Sequence, residues 1–180
     1  MLEKINFDTT YGYKNFITDN QRLELETWII SLKNKMKWAQ PVNDEEDQYG
    51  EDLQRHFLVL QNYDYKPQLF FDLRNKIIEL EGITNPIPAI GNGDWVGIVG
   101  KNSRVEPHKD ANYENHYTRR YNLLVSFPNT GGRPIYDGEL LAVEEKMIWR
   151  CDAGIIEHSS EPNYDDKLRI NLSFGFSIPF

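Results

Sequence analysis

His108, Asp110, His158 and Arg169 are the residues of this chain whose types and spacing best suit chemistry. His108 and Asp110 flank Lys109, and a one-residue gap puts both side chains on the same side of an extended segment, because strand side chains alternate. Pro107 favours an extended conformation just before it and stiffens the approach. A second imidazole has to arrive from elsewhere in the fold. His158 suits that role: it follows the tight turn Asp152-Ala153-Gly154 and precedes Ser159-Ser160, where a hydroxyl or backbone carbonyl can fix its tautomer. Two neutral imidazoles and one carboxylate on one face of an Fe(II) ion make a facial triad and leave the opposite face open. Arg169 is then placed to hold a carboxylate-bearing cosubstrate bidentately.

Each residue also has a plainer reading. A His two positions from an Asp is common on surfaces, and His116 and His56 compete for any metal role. His116 sits in the polar run Asn112 to Tyr117, which reads as an exposed or substrate-facing loop. His56 lies outside the β-rich half and reads as structural. Order and context favour the first set. The His-x-Asp pair ends one strand, His158 follows a later turn, and Arg169 opens the last apolar strand. On that strand Ile170, Leu172, Phe174 and Phe176 share one face, while Arg169, Asn171, Ser173 and Gly175 share the other. Without the triad, an ordinary polar face in water would be the better account. Arg120 and Asn122 repeat the Arg-x-Asn pattern on another strand and could reach the cosubstrate's other end, with Arg119 competing for the inward position.

The elements that must position these groups fall into two halves. Residues 1–90 read as a mostly helical flank and 91–180 as a β-rich core, together a single domain. Thr18 and Gln21 form a capping box ahead of Leu25, Trp28, Ile29, Leu32 and Met36 at helical spacing. A second helix starts with Pro67 in its first turn, carries Phe70, Leu73, Ile77 and Leu80 on one stripe and stops at Gly82. The acidic segment Asp44-Glu45-Glu46-Asp47, with Gly50, Glu51 and Asp52 behind it, reads as a solvated loop. His56 to Leu60 fits either a short strand or a buried helical turn. From Gly91 onward strands are expected at Trp95 to Val99, Arg120 to Phe127, Gly138 to Val143, Lys146 to Cys151 and Leu168 to Ile178. Short strands at this spacing indicate a sandwich, barrel or jelly roll, with the helices on one outer face. The polar run Ala111 to Thr118 is a candidate lid. Trp95, Trp149, Tyr113, Tyr117, Tyr121 and Tyr136 are candidates to line or cover a cavity.

Composition bounds the function. A length of 180 residues with 39% hydrophobic and 13% aromatic content supports a packed core rather than disorder. The net charge of −8 argues against a nucleic-acid or anionic-membrane footprint, leaving Arg104, Lys109, Arg119 and Arg120 as the best local basic patch. The single Cys151 excludes an intrachain disulfide framework. No apolar run approaches roughly eighteen residues, and no signal-peptide core is visible, so a cytoplasmic location is expected.

The combination resembles the 2-oxoglutarate- and Fe(II)-dependent oxygenases over about half the chain, from Asp94 onward. His108-Lys109-Asp110 is similar to that superfamily's His-x-Asp, His158 to its distal His, and Arg169 to the residue that binds the distal carboxylate of 2-oxoglutarate. The segment Gly132 to Leu140 resembles prolyl-4-hydroxylase-like members. Glu157-His158-Ser159-Ser160 and Arg169-Ile170-Asn171-Leu172, with Arg120-Tyr121-Asn122-Leu123, resemble the aspartyl/asparaginyl β-hydroxylase branch, from which Asn122 departs because an Arg-x-His stands there. The resemblance implies a mainly β fold with flanking helices, the double-stranded β-helix (a cupin-like jelly roll). It implies Fe(II), 2-oxoglutarate and O2 as cofactors, with ascorbate as a further candidate. His108, Asp110 and His158 would then be metal ligands and catalytic, and Arg169, Asn171, Arg120 and Asn122 would bind the cosubstrate. The implied reaction is hydroxylation of a protein or peptide side chain, with succinate and CO2 as coproducts. The alternatives are the same chemistry on a small metabolite or free amino acid, and a cupin-like metal-binding module without redox chemistry. Asp110 argues against halogenation, which in this superfamily goes with loss of that carboxylate.

Overall fold

The computed structural model describes residues 1–38, 55–61, 63–89 and 93–180. The acidic segment from Asp44 to Asp52 and the boundary at Gly91 lie outside them. In chain order the elements are β1 (Glu3–Asn6), β2 (Tyr11–Lys14), α1 (Asp19–Ser31), β3 (Lys37–Trp38), β4 (Arg55–Val59), α2 (Gln68–Glu81), β5 (Trp95–Val99), β6 (His116–Ser126), β7 (Pro134–Tyr136), β8 (Glu139–Leu140), β9 (Ile148–Cys151), β10 (His158–Ser160) and β11 (Arg169–Pro179). A major sheet runs β1-β2-β9-β6-β11-β5-β4-β3 and a minor one β10-β7-β8, with antiparallel pairing throughout. This is the expected double-stranded β-helix with helices on one outer face.

Side-chain alternation on the two long central strands builds that layering. Tyr121, Leu123 and Val125 of β6 and Ile170, Leu172, Phe174 and Phe176 of β11 point to the helices, where Leu25, Trp28, Ile29, Phe70, Leu73 and Ile77 cover them. Phe70 stacks on Phe174 at 5.3 Å between centroids. Burying each such ring contributes about 1.5–3 kcal/mol. The opposite face turns toward the minor sheet. There Leu124, Tyr136, Leu141, Met147 and Cys151 fill one end of the interior, and polar residues occupy the other.

The helices follow their local signals closely. At α1 the Thr18 side chain accepts from the Gln21 amide at 3.3 Å, and the Gln21 side chain accepts from the Thr18 amide at 2.9 Å. The helix ends at Ser31, so Met36 lies beyond it, after a 3-10 turn at Lys33–Lys35. In α2, Pro67 is the N-cap rather than part of the first turn, and Gly82 closes the helix in the left-handed conformation at φ 59°. Leu80 is exposed whereas Leu69 is buried. The two are three turns apart on one line along the helix, so the core covers only its earlier turns.

The strands differ more from the sequence pattern. β5 is as expected, and the stretch from His56, which fitted either a strand or a helical turn, forms strand β4 over Arg55–Val59. β6 begins at His116, earlier than Arg120, because the polar stretch pairs with the end of β11 up to His116↔Pro179. The strand expected over Gly138 to Val143 shrinks to β8, since its partner β7 offers only Ile135 and Tyr136 for pairing. The residues before position 91 supply more than helices: β1 to β4 join both edges of the major sheet. The β1-β2 hairpin is too short and polar for a period-2 signal. No helix among the described residues is long and apolar enough to cross a membrane.

Candidate metal centre and cosubstrate pocket

Backbone pairing brings the two histidines together. His108 and His158 face each other across an antiparallel bridge, with His108 N–H donating to the His158 carbonyl at 3.1 Å and His158 N–H returning at 2.9 Å. Their rings lie 4.2 Å apart between centroids. Asp110, two residues on, is held by its amide on the Ala153 carbonyl at 2.8 Å. This bonding carries the chain after the Asp152 turn past the His-x-Asp segment.

The donor atoms converge. His108 Nε2 is 3.6 Å and His158 Nε2 3.9 Å from Asp110 Oδ1, and one ligand atom from each residue falls within a 4.8 Å cluster. Both imidazoles turn Nδ1 to a backbone carbonyl, His108 to Glu106 at 2.7 Å and His158 to Ile156 at 3.3 Å. With the proton on Nδ1, each Nε2 keeps its lone pair for the cluster centre. Carbonyls therefore fix the tautomers, while Ser160 Oγ is spent on the Val105 amide at 3.0 Å. Burial, helped by neighbouring His108, pushes His158 down to about 4, so it is neutral near pH 7. Burial alone would raise Asp110. Close contact with His108 and the Arg120 guanidinium outweigh it and hold the carboxyl well below the usual carboxylate range. Two neutral nitrogens and one anionic oxygen fit a divalent first-row metal such as Fe(II).

Arg120, not Arg119, is the inward residue. Its Nε donates to Asp110 Oδ2, and its Nη1 donates to the Gly93 carbonyl at 3.0 Å. Arg119 turns away to Tyr117 and to Asp152, the latter at 2.5 Å. The partner that the structure gives Arg120 is thus Asp110, the carboxylate of the His-Asp-His cluster. Space for it comes from Gly175, directly opposite on β11, where an added Cβ would lie 2.4 Å from the Gly93 carbonyl and 3.1 Å from Arg120 Nη1. Arg120 thereby leaves Oδ1 as the free oxygen facing the imidazoles. Arg120→Leu is expected to weaken metal binding about 10- to 100-fold, the usual cost of losing a group that orients a ligand. Calorimetric metal titration tests this, and an unchanged affinity would remove Arg120 from the site.

Beside the cluster is a cavity of about 310 Å³ whose lining includes His108, Asp110, His158, Arg120, Asn122, Arg169 and Asn171. All seven residues singled out in the sequence therefore share one pocket. Asn171 Nδ2 donates to Asn122 Oδ1 at 3.3 Å, so these two residues bind each other. Arg169 is 6% exposed and its Nε has no partner among the described residues, nor has Asn171 Oδ1 or Trp149 Nε1. An unpaired buried guanidinium is costly. Burial, with Arg55 nearby, lowers Arg169 to about 10, which still leaves it charged at neutral pH. The pocket thus offers donors suited to an anionic ligand that carries a carboxylate.

Other expectations find different places. Of the aromatics, Trp95 and Trp149 line the cavity, whereas Tyr121 packs toward the helices and Tyr136 in the apolar end. Tyr113 is exposed. His116 starts β6 and His56 lies in β4, both apart from the cluster. The proposed lid is pinned: Asn112 Nδ2 donates to the Gly154 carbonyl at 2.8 Å, and Thr118 Oγ1 donates to the Ala111 carbonyl at 2.8 Å. Only Ala111 of that run lines the cavity, because these bonds hold the rest as a tight hairpin end. Arg55 lines the cavity without having been singled out in the sequence. Its signal was the alternation Arg55, Phe57, Val59 on β4, all three of which line the pocket.

No protein-family model and no curated protein matches this sequence. Solved structures do. A Trichoplax adhaerens prolyl hydroxylase, in complex with a hypoxia inducible factor oxygen degradation domain peptide fragment, is 10% identical; the match covers 97% of this chain and 85% of that one at a TM-score of 0.69. The non-heme alpha-ketoglutarate-dependent carbocyclase SnoK from nogalamycin biosynthesis is 12% identical, over 94% of this chain and 79% of that one, with a TM-score of 0.68. HygX from Streptomyces hygroscopicus, bound to nickel and 2-oxoglutarate, is 10% identical, over 97% and 85%, with a TM-score of 0.64. The chain shares the fold of these oxygenases.

Proposed function

We propose that this protein is an Fe(II)- and 2-oxoglutarate-dependent oxygenase that hydroxylates a carbon of its substrate. The observation that carries the reading is the pairing, in one cavity, of a His-Asp-His cluster with a buried guanidinium that has no counter-ion among the described residues. A cupin-like module that only binds metal would leave Arg169 unexplained. The fold shared with solved 2-oxoglutarate-binding proteins supports the same reading.

His108, Asp110 and His158 would hold the iron, and Arg169 the far carboxylate of 2-oxoglutarate. Iron, 2-oxoglutarate and O2 together would supply the oxidation: a substrate C–H becomes C–OH with one atom of O2, the other atom enters succinate, and the carboxylate next to the keto group of 2-oxoglutarate leaves as CO2. The chain's own part is positional. Glu106 and Ile156 carbonyls orient the imidazoles, and Arg120 keeps one carboxylate oxygen occupied. Trp149 and Trp95 help to wall the cavity against water.

A protein or peptide side chain is the first substrate class to test, since the Trichoplax neighbour is a hydroxylase with a peptide bound. A small molecule is the second, favoured by the modest cavity volume of about 310 Å³. Protein incubated aerobically with Fe(II) and 2-oxoglutarate is expected to form succinate slowly without added substrate, at a rate that disappears when iron is chelated. Absence of succinate above a protein-free control would reject the oxygenase reading.

A further inference from the structure

Charge in the cavity exceeds what iron chemistry requires. Arg55, Lys109, Arg120 and Arg169 line it against the single carboxylate of Asp110. Arg120 and Asp110 cancel each other. In the oxygenase reading a dianionic cosubstrate cancels a dication, so three positive charges remain. Lys109 is exposed and can reach water, but Arg55 is partly buried. Arg55 makes no ion pair or hydrogen bond among the described residues. The acid whose charge it senses, Glu106, is held by Arg104 at 2.9 Å.

Arg55 also has a defined position. Arg55 on β4 and Arg169 on β11 both lie directly opposite Val99, from the two sides of β5. They form one row across three strands, with backbones roughly 10 Å apart at ordinary strand spacing. Phe57 and Val59 continue the Arg55 face along the cavity. Gly97 opposes Phe57, and the Trp95 ring lies over it: a Cβ at Gly97 would be 2.6 Å from Trp95 Cζ3. The Arg55 side of the cavity is therefore an aromatic wall ending in a guanidinium, beside Arg169.

We propose that Arg55 anchors a carboxylate of the prime substrate, so that the enzyme acts on an organic acid whose hydrocarbon part lies along Phe57 and Trp95. This inference rests on the oxygenase reading and names its substrate class. Arg169 alone supplies the planar fork that a distal carboxylate needs, which leaves Arg55 for a second acid. The acid can be a free small molecule or an Asp or Glu side chain of a peptide.

The test uses full-length protein loaded with Mn(II) and 2-oxoglutarate in place of the reactive iron form. A series of alkyl and aryl monocarboxylic acids and their matched primary amides is titrated in and read by calorimetry. Peptides carrying Asp or Glu, with Asn and Gln counterparts, form a second arm that separates the two sources. In at least one arm the acids are expected to bind ten-fold or more tightly than the amides. Arg55→Gln should abolish that preference and Arg55→Lys should retain part of it, while 2-oxoglutarate affinity stays within two-fold of the parent. Equal binding of acids and amides, including no binding of either, overturns the proposal. So does a preference that survives Arg55→Gln, or a loss of 2-oxoglutarate affinity in Arg55→Gln like that in Arg169→Ala, which would make Arg55 a cosubstrate anchor. Failure of the oxygenase reading itself would be distinguishable, because 2-oxoglutarate would then not bind the Mn(II)-loaded protein at all.

Discussion

His108→Ala is expected to lose Fe(II) binding and, with it, the weak visible charge-transfer absorption that the parent protein should develop with Fe(II) and 2-oxoglutarate under anaerobic conditions. The variant removes one of three protein donors whose atoms lie within 4.8 Å of one another. Losing a donor should exceed the 10- to 100-fold cost of losing a group that merely orients one, so an affinity loss of more than about 100-fold is expected. Succinate formation should fall to background. His108 is the cleaner choice than Asp110. Asp110→Ala also strips the buried Arg120 of its carboxylate, and breaking such a pair costs about 3–5 kcal/mol, so a metal effect would be mixed with unfolding. Asp110→Asn keeps an oxygen for Arg120 and should lose metal while remaining folded. Persistence of the absorption in both His108→Ala and Asp110→Asn would show that the metal sits elsewhere.

Arg169→Ala should separate the cosubstrate from the metal. Truncating one partner of a buried charge pair costs about 2–5 kcal/mol, which corresponds to roughly 30-fold to several thousand-fold in the 2-oxoglutarate Kd. Metal affinity should be unchanged, because Arg169 bonds to none of the three donor residues. Arg169→Lys retains the charge without the bidentate fork and should fall between. Conversely, saturating 2-oxoglutarate should stabilise the Mn(II)-loaded parent by about 2.7 kcal/mol at a hundred times its Kd, and this gain should vanish in Arg169→Ala at the same concentration. A variant that loses metal and cosubstrate in parallel would instead make Arg169 a structural support of the barrel.

These two experiments bear on different links. The first concerns ligand atoms set by the bridge between His108 and His158. The second concerns a guanidinium set by strand alternation on β11, whose Nε has no partner among the described residues. Their effects should combine without additivity, since cosubstrate binding needs the metal as well as the arginine.

What the sequence determined by itself was local. The one-residue gap between His108 and Asp110, the polar stripe headed by Arg169 and the capping box at Thr18 are statements about neighbours along the chain, and each has its counterpart in the structure. The helix stops at Gly82 for a similarly local reason, a left-handed φ that glycine tolerates. Tertiary structure decided whatever depends on which strands lie side by side. Alternation could not tell Arg119 from Arg120 as the inward residue, because that choice is fixed by pairing of Arg120 with Gly175 and Cys151 on the flanking strands. Nor could it join Arg55 to Arg169, which meet only through their common partner Val99. Strand periodicity records the two faces of a segment but not its neighbours, and long-range pairing supplies the neighbours that turn a polar face into a pocket.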